Sequence, residues 1–154
     1  MDQATHEALM RRAIAMGRKT GIEDRAGGPF GALIVRDGEV VGEGYSRVVA
    51  EHDATWHSEV AAIRDACRRL QTHDLSGCVM YCSGEPCSMC AGAAQRARLD
   101  RIYYAGPHED TVAYGYSSEG PARASGPIPR EEVLRDEMRA LWQDFRAQVG
   151  PLPY

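Results

Sequence analysis

The segment HSEVAAIRDACRRLQTHDLSGCVMYCSGEPCSMC, residues 57–90, decides how the rest of the chain is read. It opens on His57-Ser58-Glu59 and closes on Pro86-Cys87-Ser88-Met89-Cys90. One imidazole and two thiols three positions apart are ligands of the right softness for zinc. A closed structural site asks for a fourth protein ligand, whereas a reactive one leaves that position to water. Glu59, two residues after the histidine, is a carboxylate suited to moving the protons of that water. Either half alone is a weak signal. Both, in this order and in a chain of this size, are a strong one.

Between the two halves, Val60, Ile63, Ala66/Cys67 and Leu70 recur at helical spacing, which places His57 and Glu59 at a helix N-terminus. Cys78-Val79-Met80-Tyr81-Cys82 reads as a buried strand. After Ser83-Gly84-Glu85-Pro86 a second helix is expected from Cys87 to about Ala97, with Cys87 and Cys90 on one face of its first turn. Two helix N-termini then converge on one metal, and their partial positive charge favours thiolate and hydroxide.

Working outward, Leu9, Ala13 and Met16 with Met10 and Ile14 predict an amphipathic helix from about Thr5 to Thr20, capped by Thr5 and ended by Gly21. A loop over 21–29 leads to Phe30-Gly31-Ala32-Leu33-Ile34-Val35, a run of strand length. Asp37-Gly38 is a hairpin turn signal, and 39–45 returns as the partner strand. Downstream, 101–105 is a further strand. Residues 106–127, rich in glycine and proline, read as a long loop over the site. The last stretch is helical from Pro129 or later to Ala147, with room for a short strand at 128–133.

A hairpin followed by alternating strands and helices implies an α/β sheet covered on both faces, with the metal at its edge. At 154 residues the chain is read as one domain, 1–154, with 44% hydrophobic and 26% charged residues. Lys+Arg 18 against Asp+Glu 22 gives net −4 without a basic run, which favours a small substrate over a nucleic-acid backbone. The cysteines outside the C-x-x-C, Cys67, Cys78 and Cys82, form an odd set that suggests no disulfide framework and are assigned to the core. With a polar start and no apolar stretch of spanning length, a reducing cytoplasm is expected and a membrane is not.

The H-x-E…P-C-x-x-C order is the general signature of zinc-dependent base deaminases. On these residues the chain resembles the cytidine-deaminase-like superfamily. Gly28-Pro29-Phe30-Gly31-Ala32, the Gly-aromatic pair Gly115-Tyr116, Ile128-Pro129 and the terminal Tyr154 look like the branch of small bacterial guanine and nucleobase deaminases. The resemblance implies a three-layer α-β-α sandwich around a five-stranded mixed sheet. It also implies a homodimer in which 128–154 is exchanged between subunits. Three departures stand out. Ser58 replaces the usual alanine of His-Ala-Glu. Ser46 stands where the branch carries a base-binding asparagine, and Ser117-Ser118 where guanine deaminases carry acidic residues.

Zn2+ is the expected cofactor, held by His57, Cys87 and Cys90, with Glu59 as the proton-transferring residue. The substrate side falls to Phe30, Ser46, Trp56, Ser118 and Tyr154, with main-chain groups near Ser58-Glu59 and Ser83-Gly84-Glu85. Phe30 either stacks on a flat base or belongs to the core; Trp56 is either a pocket wall or a loop anchor. Tyr114 and Tyr116 are further candidates to close over substrate, while His52, His73 and His108 read as surface or loop histidines. The leading expectation is a hydrolase releasing ammonia from an amino-nucleobase or related N-heterocycle. The competing readings are transfer-RNA adenosine editing, cytosine deamination and a purely structural zinc site. The last is disfavoured because such a site has no need of Glu59.

Overall fold

Asp37 and Gly38 both take left-handed backbone angles, φ 52° and 80°, which a two-residue hairpin turn requires. They join β1 (Gly31–Arg36) to β2 (Glu39–Tyr45) in an antiparallel pair. The structure, a computed structural model, describes residues 1–115 and 126–152. Tyr116, Ser117, Ser118 and Tyr154, singled out by the sequence, therefore lie outside the described residues.

On its other side β1 pairs antiparallel with β3 (Cys78–Gly84). Parallel pairing then adds β4 (Arg101–Gly106) and β5 (Arg130–Glu132), giving a five-stranded mixed sheet of order β2-β1-β3-β4-β5. Alternation along β1 sends Leu33 and Val35 to one face and Ala32 and Ile34 to the other. The first face is covered by α1 (Gln3–Arg18) and α5 (Arg135–Gln148), through Met10, Ile14, Trp142 and Phe145. The second is covered by α2 (Ser58–Leu70) and α3 (Ser88–Ala97), through Ile63, Ala66 and Ala94. These are the three layers expected from the sequence.

Helix α2 lies unusually close to β2. A Cβ on Gly44 would sit 2.2 Å from the Ser58 carbonyl oxygen and 2.4 Å from the Ala62 nitrogen. Only a residue without a side chain admits that approach, and it sets the first turn of α2 directly on the sheet. The N-terminus of α2 is thus placed by backbone contact.

The structure corrects the expectations at several ends. Helix α1 is capped by Asp2, whose Oδ1 accepts from the Thr5 amide at 2.9 Å; Thr5 lies inside the helix. The helix does not stop at Gly21 but runs on as a π-type turn over Lys19–Glu23. The segment 106–127 is not loop throughout, because α4 occupies His108–Ala113. Asp110 fixes it by accepting from Arg135 at 2.8 Å and Arg139 at 3.1 Å, and these guanidinium bonds hold its carboxyl below the usual range. The short strand before the last helix is Arg130–Glu132, and that helix begins at Arg135 after Leu134 turns at φ 63°. Helix α5 packs on the first face of the sheet, with Met138, Leu141, Trp142 and Phe145 fully buried.

Candidate metal centre

His57 and Cys87 occupy equivalent positions, the N-caps of α2 and α3, both with extended backbone (ψ 150° and 176°). Neither side chain caps its own helix. Cys90, one turn into α3, is fully buried and faces the same point. The His57 Nδ1 lies 3.6 Å from Cys87 Sγ and 3.5 Å from Cys90 Sγ, and all three ligand atoms fall within 4.8 Å of one another. Zinc bonds of about 2.0–2.1 Å to nitrogen and about 2.3 Å to sulfur, at a tetrahedral angle, separate N from S by about 3.6 Å. The donor set and its spacing therefore fit zinc, with one position left open. Among the described residues this is the one such group of three.

The electrostatics agree. The Cys90 thiol, hydrogen-bonded to Cys87 and flanked by His57, holds Cys87 at a pKa of about 4. Cys90 itself is pushed up by that same hydrogen bond and by burial. Zinc takes both sulfurs as thiolates, so its binding at this site would be coupled to proton release.

Glu59 sits in the first turn of α2 and is 4% exposed. Burial raises its carboxyl above the ordinary value, opposed by neighbouring His57 and by hydrogen bonds from Cys90 and Ser58. The Ser58 hydroxyl, itself fully buried, donates to Glu59 Oε1 at 2.8 Å. Ser58, the middle residue of His57-Ser58-Glu59, thus orients the carboxylate.

The remaining sequence candidates scatter around this centre. Ser46 is buried at the exit of β2, where its amide donates to the Phe30 carbonyl at 3.0 Å and its carbonyl accepts from Thr20 at 2.6 Å. Phe30 is half-buried, its ring edge-on to Trp142 with centroids 5.4 Å apart and pressed against Gly84, where a Cβ would come within 2.8 Å. These are packing contacts, at the strand end that leads to Cys87. Trp56 anchors the loop before His57: its carbonyl accepts from Arg47 at 3.1 Å, closing a neck under residues 48–55. Above that neck, Val49 and Ala50 each donate to the Ala26 carbonyl at 2.9 Å. Trp56 also lines a groove with Tyr45, Arg47 and Arg64 along β2 and α2. Tyr114 stacks on Trp142 at 6.0 Å. His52 and His73 are exposed as expected, and Cys78 and Cys82 are buried, while Cys67 is only partly so.

His108 corrects its assignment. It is 7% exposed, and its Nε2 lies 3.0 Å from the carbonyl of Pro86, beside the ligand Cys87. The sequence also gave no sign that Glu85 would pair with Arg130 at 3.1 Å, two side chains each 13% exposed. The one available signal was position: Glu85 directly precedes Pro86-Cys87.

Replacing Cys87 by Ala leaves two protein ligands, and the purified variant is expected to carry far less than one zinc per chain. Elemental analysis of protein made without chelator checks this, and full occupancy in Cys87→Ala would remove Cys87 from the ligand set.

Residues 3–106 match the profile of the cytidine and deoxycytidylate deaminase zinc-binding region. The chain is 42% identical over 111 residues to the guanine deaminase of Bacillus subtilis, covering 72% of this chain and 70% of that one. It is 39% identical over 104 residues to the tRNA-specific adenosine deaminase of Agrobacterium fabrum, covering 68% and 66%. Its fold superposes on that of a guanine deaminase from Nitrosomonas europaea with a TM-score of 0.81 and 30% identity, over 92% of this chain and 84% of that one.

Proposed function

Since the chain belongs to the zinc-binding cytidine and deoxycytidylate deaminase family, whose members are zinc-dependent hydrolytic deaminases, we propose that it deaminates a free amino-nucleobase or related N-heterocycle. The observation that carries this reading is a buried carboxylate, Glu59, hydrogen-bonded by Ser58 and Cys90 beside a three-ligand zinc set with an open position. When bound by His57, Cys87 and Cys90, zinc supplies a Lewis acid that brings a water's pKa to about 7.

The chain's own residues do the rest. Glu59 accepts a proton from the attacking water as its oxygen adds to the amino-bearing carbon. The same carboxyl returns protons to the ring nitrogen and to the departing amine. The C–N bond breaks, ammonia leaves and a carbonyl remains, so one water is consumed for each ammonia released. Its buried place beside the three ligands suits Glu59 to both roles, within reach of the same water and the same leaving amine. Phe30, Ser46, Trp56, Ser118 and Tyr154 are proposed to shape the substrate side. A homodimer that exchanges 128–154, in a cytoplasmic setting, completes the proposal.

Identity to the tRNA-specific adenosine deaminase favours a second reading, the editing of a nucleic acid. The net charge of −4 supplies little to neutralise a phosphate backbone, which ranks that reading below the first. Ammonia release separates the two when measured on guanine, cytosine, adenine, isocytosine, pterins, amino-triazines and their nucleosides, beside inosine formation in transfer RNA. The expected result is turnover of at least one free heterocycle by zinc-loaded protein. Inosine formation without turnover of any small molecule would establish the editing reading instead.

A further inference from the structure

We propose that His108 is a positioning residue for the metal-ligating turn, acting through the carbonyl of Pro86. Its Nε2 lies 3.0 Å from the Pro86 oxygen. A carbonyl only accepts, so Nε2 carries the proton and donates. The Pro86–Cys87 peptide is planar, and fixing its carbonyl fixes the plane from which the Cys87 backbone departs. Cys87 is at once the N-cap of α3 and a zinc ligand. Its carbonyl accepts from the Ala91 amide at 2.8 Å, which ties that same residue into the helix on its other side. The ligand is therefore held from both directions, by α3 and by His108.

The backbone of His108 is itself anchored from elsewhere in the fold. The His108 amide donates to Glu85 Oε1 at 3.0 Å, and Glu85 Oε2 pairs with Arg130 of β5 at 3.1 Å. The Glu85 amide donates to Gly106 at the end of β4 at 2.8 Å. Two residues past His108, Asp110 binds Arg135 and Arg139 of α5. The short α4 is thus pinned at two points to two other elements, and the carboxylate that precedes Pro86-Cys87 takes part in one of them. His108 is not in the ligand set. The inference rests on the zinc site alone and stands or falls independently of which heterocycle is turned over.

The test compares His108→Ala, His108→Phe and His108→Gln in zinc-loaded protein. Glutamine keeps an amide N–H at similar reach, and phenylalanine keeps the volume without a donor. The first readout is the rate of zinc transfer to a chromogenic chelator. The second is the visible spectrum of the cobalt(II)-substituted protein, which reports the geometry of thiolate ligation; circular dichroism checks the fold. Outer partners of metal ligands are typically worth roughly 10–100-fold in metal affinity or activity. Ala and Phe are expected to release zinc faster by a factor in that range and to shift the cobalt bands, while Gln retains the wild-type spectrum and most of the metal retention. If Ala does not fold, the Phe and Gln pair decides. Wild-type retention in Phe, or loss in Gln as fast as in Phe, overturns the proposal.

Discussion

Glu59→Gln is expected to keep the fold and the zinc and to lose nearly all turnover. The substitution is close to isosteric, and the Ser58 hydroxyl that donates to Oε1 can donate equally to an amide oxygen at that place. What disappears is the ability to take and return a proton. General acid–base help from one group contributes about 10²–10⁴-fold. Here the same carboxyl serves several transfers, so a loss at or beyond the upper end of that range is expected. Steady-state kcat on the preferred heterocycle, with metal content measured on the same preparation, is the check. A kcat within a few-fold of wild type would remove Glu59 from the mechanism.

Guanine is expected to be a poor substrate, with kcat/KM lower by roughly 10²–10⁴ than that of a dedicated guanine deaminase. The expectation rests on the two base-reading positions that depart from the pattern the chain resembles, Ser46 and Ser117-Ser118. At the first, the serine is buried where the chain leaves β2, engaged by Phe30 and Thr20. A hydroxyl there reaches less far than a carboxamide and offers a smaller donor–acceptor pattern. At the second, a serine offers no charged acceptor to the amidine-like edge of guanine. Each polar group left unpaired in a dry site costs about 1–3 kcal/mol, and two such losses give the stated range. Kinetics on guanine beside the other heterocycles decide it. Should guanine prove the best substrate at an ordinary kcat/KM, other residues supply those contacts.

The parts of the fold that could be read from the sequence are those in which chemistry and local geometry coincide. Asp37-Gly38 announces its hairpin because few residues tolerate two successive left-handed angles. His57, Cys87 and Cys90 are legible because metal ligation constrains both residue type and spacing, and helix starts are where such ligands are easily presented. The cap of α1 was misplaced by three residues since Asp2 and Thr5 are both good N-cap residues, and only the bond between them decides which one caps. Helix α4 went unread because six residues are too few for periodicity to show; its stability comes from Asp110 meeting arginines of α5. The Glu85–Arg130 pair joins residues far apart in the chain and leaves no local pattern at all. His108 looked like a surface residue because its surroundings in the sequence are polar, whereas its burial comes from tertiary contacts.

The neck between Arg47 and Trp56 has a consequence for how such a chain can change. The excursion it closes is an Ω-shaped bight whose two ends are already tied, with His57 immediately beyond the knot. Extra residues spliced in near its outer bend at His52 would enlarge the bight without pulling on the imidazole. The entropic cost of such growth is logarithmic, about 0.6 kcal/mol for each doubling of length. The bight can therefore lengthen, shorten or change its composition while the histidine keeps its station, and reshaping of this rim is mechanically decoupled from the metal.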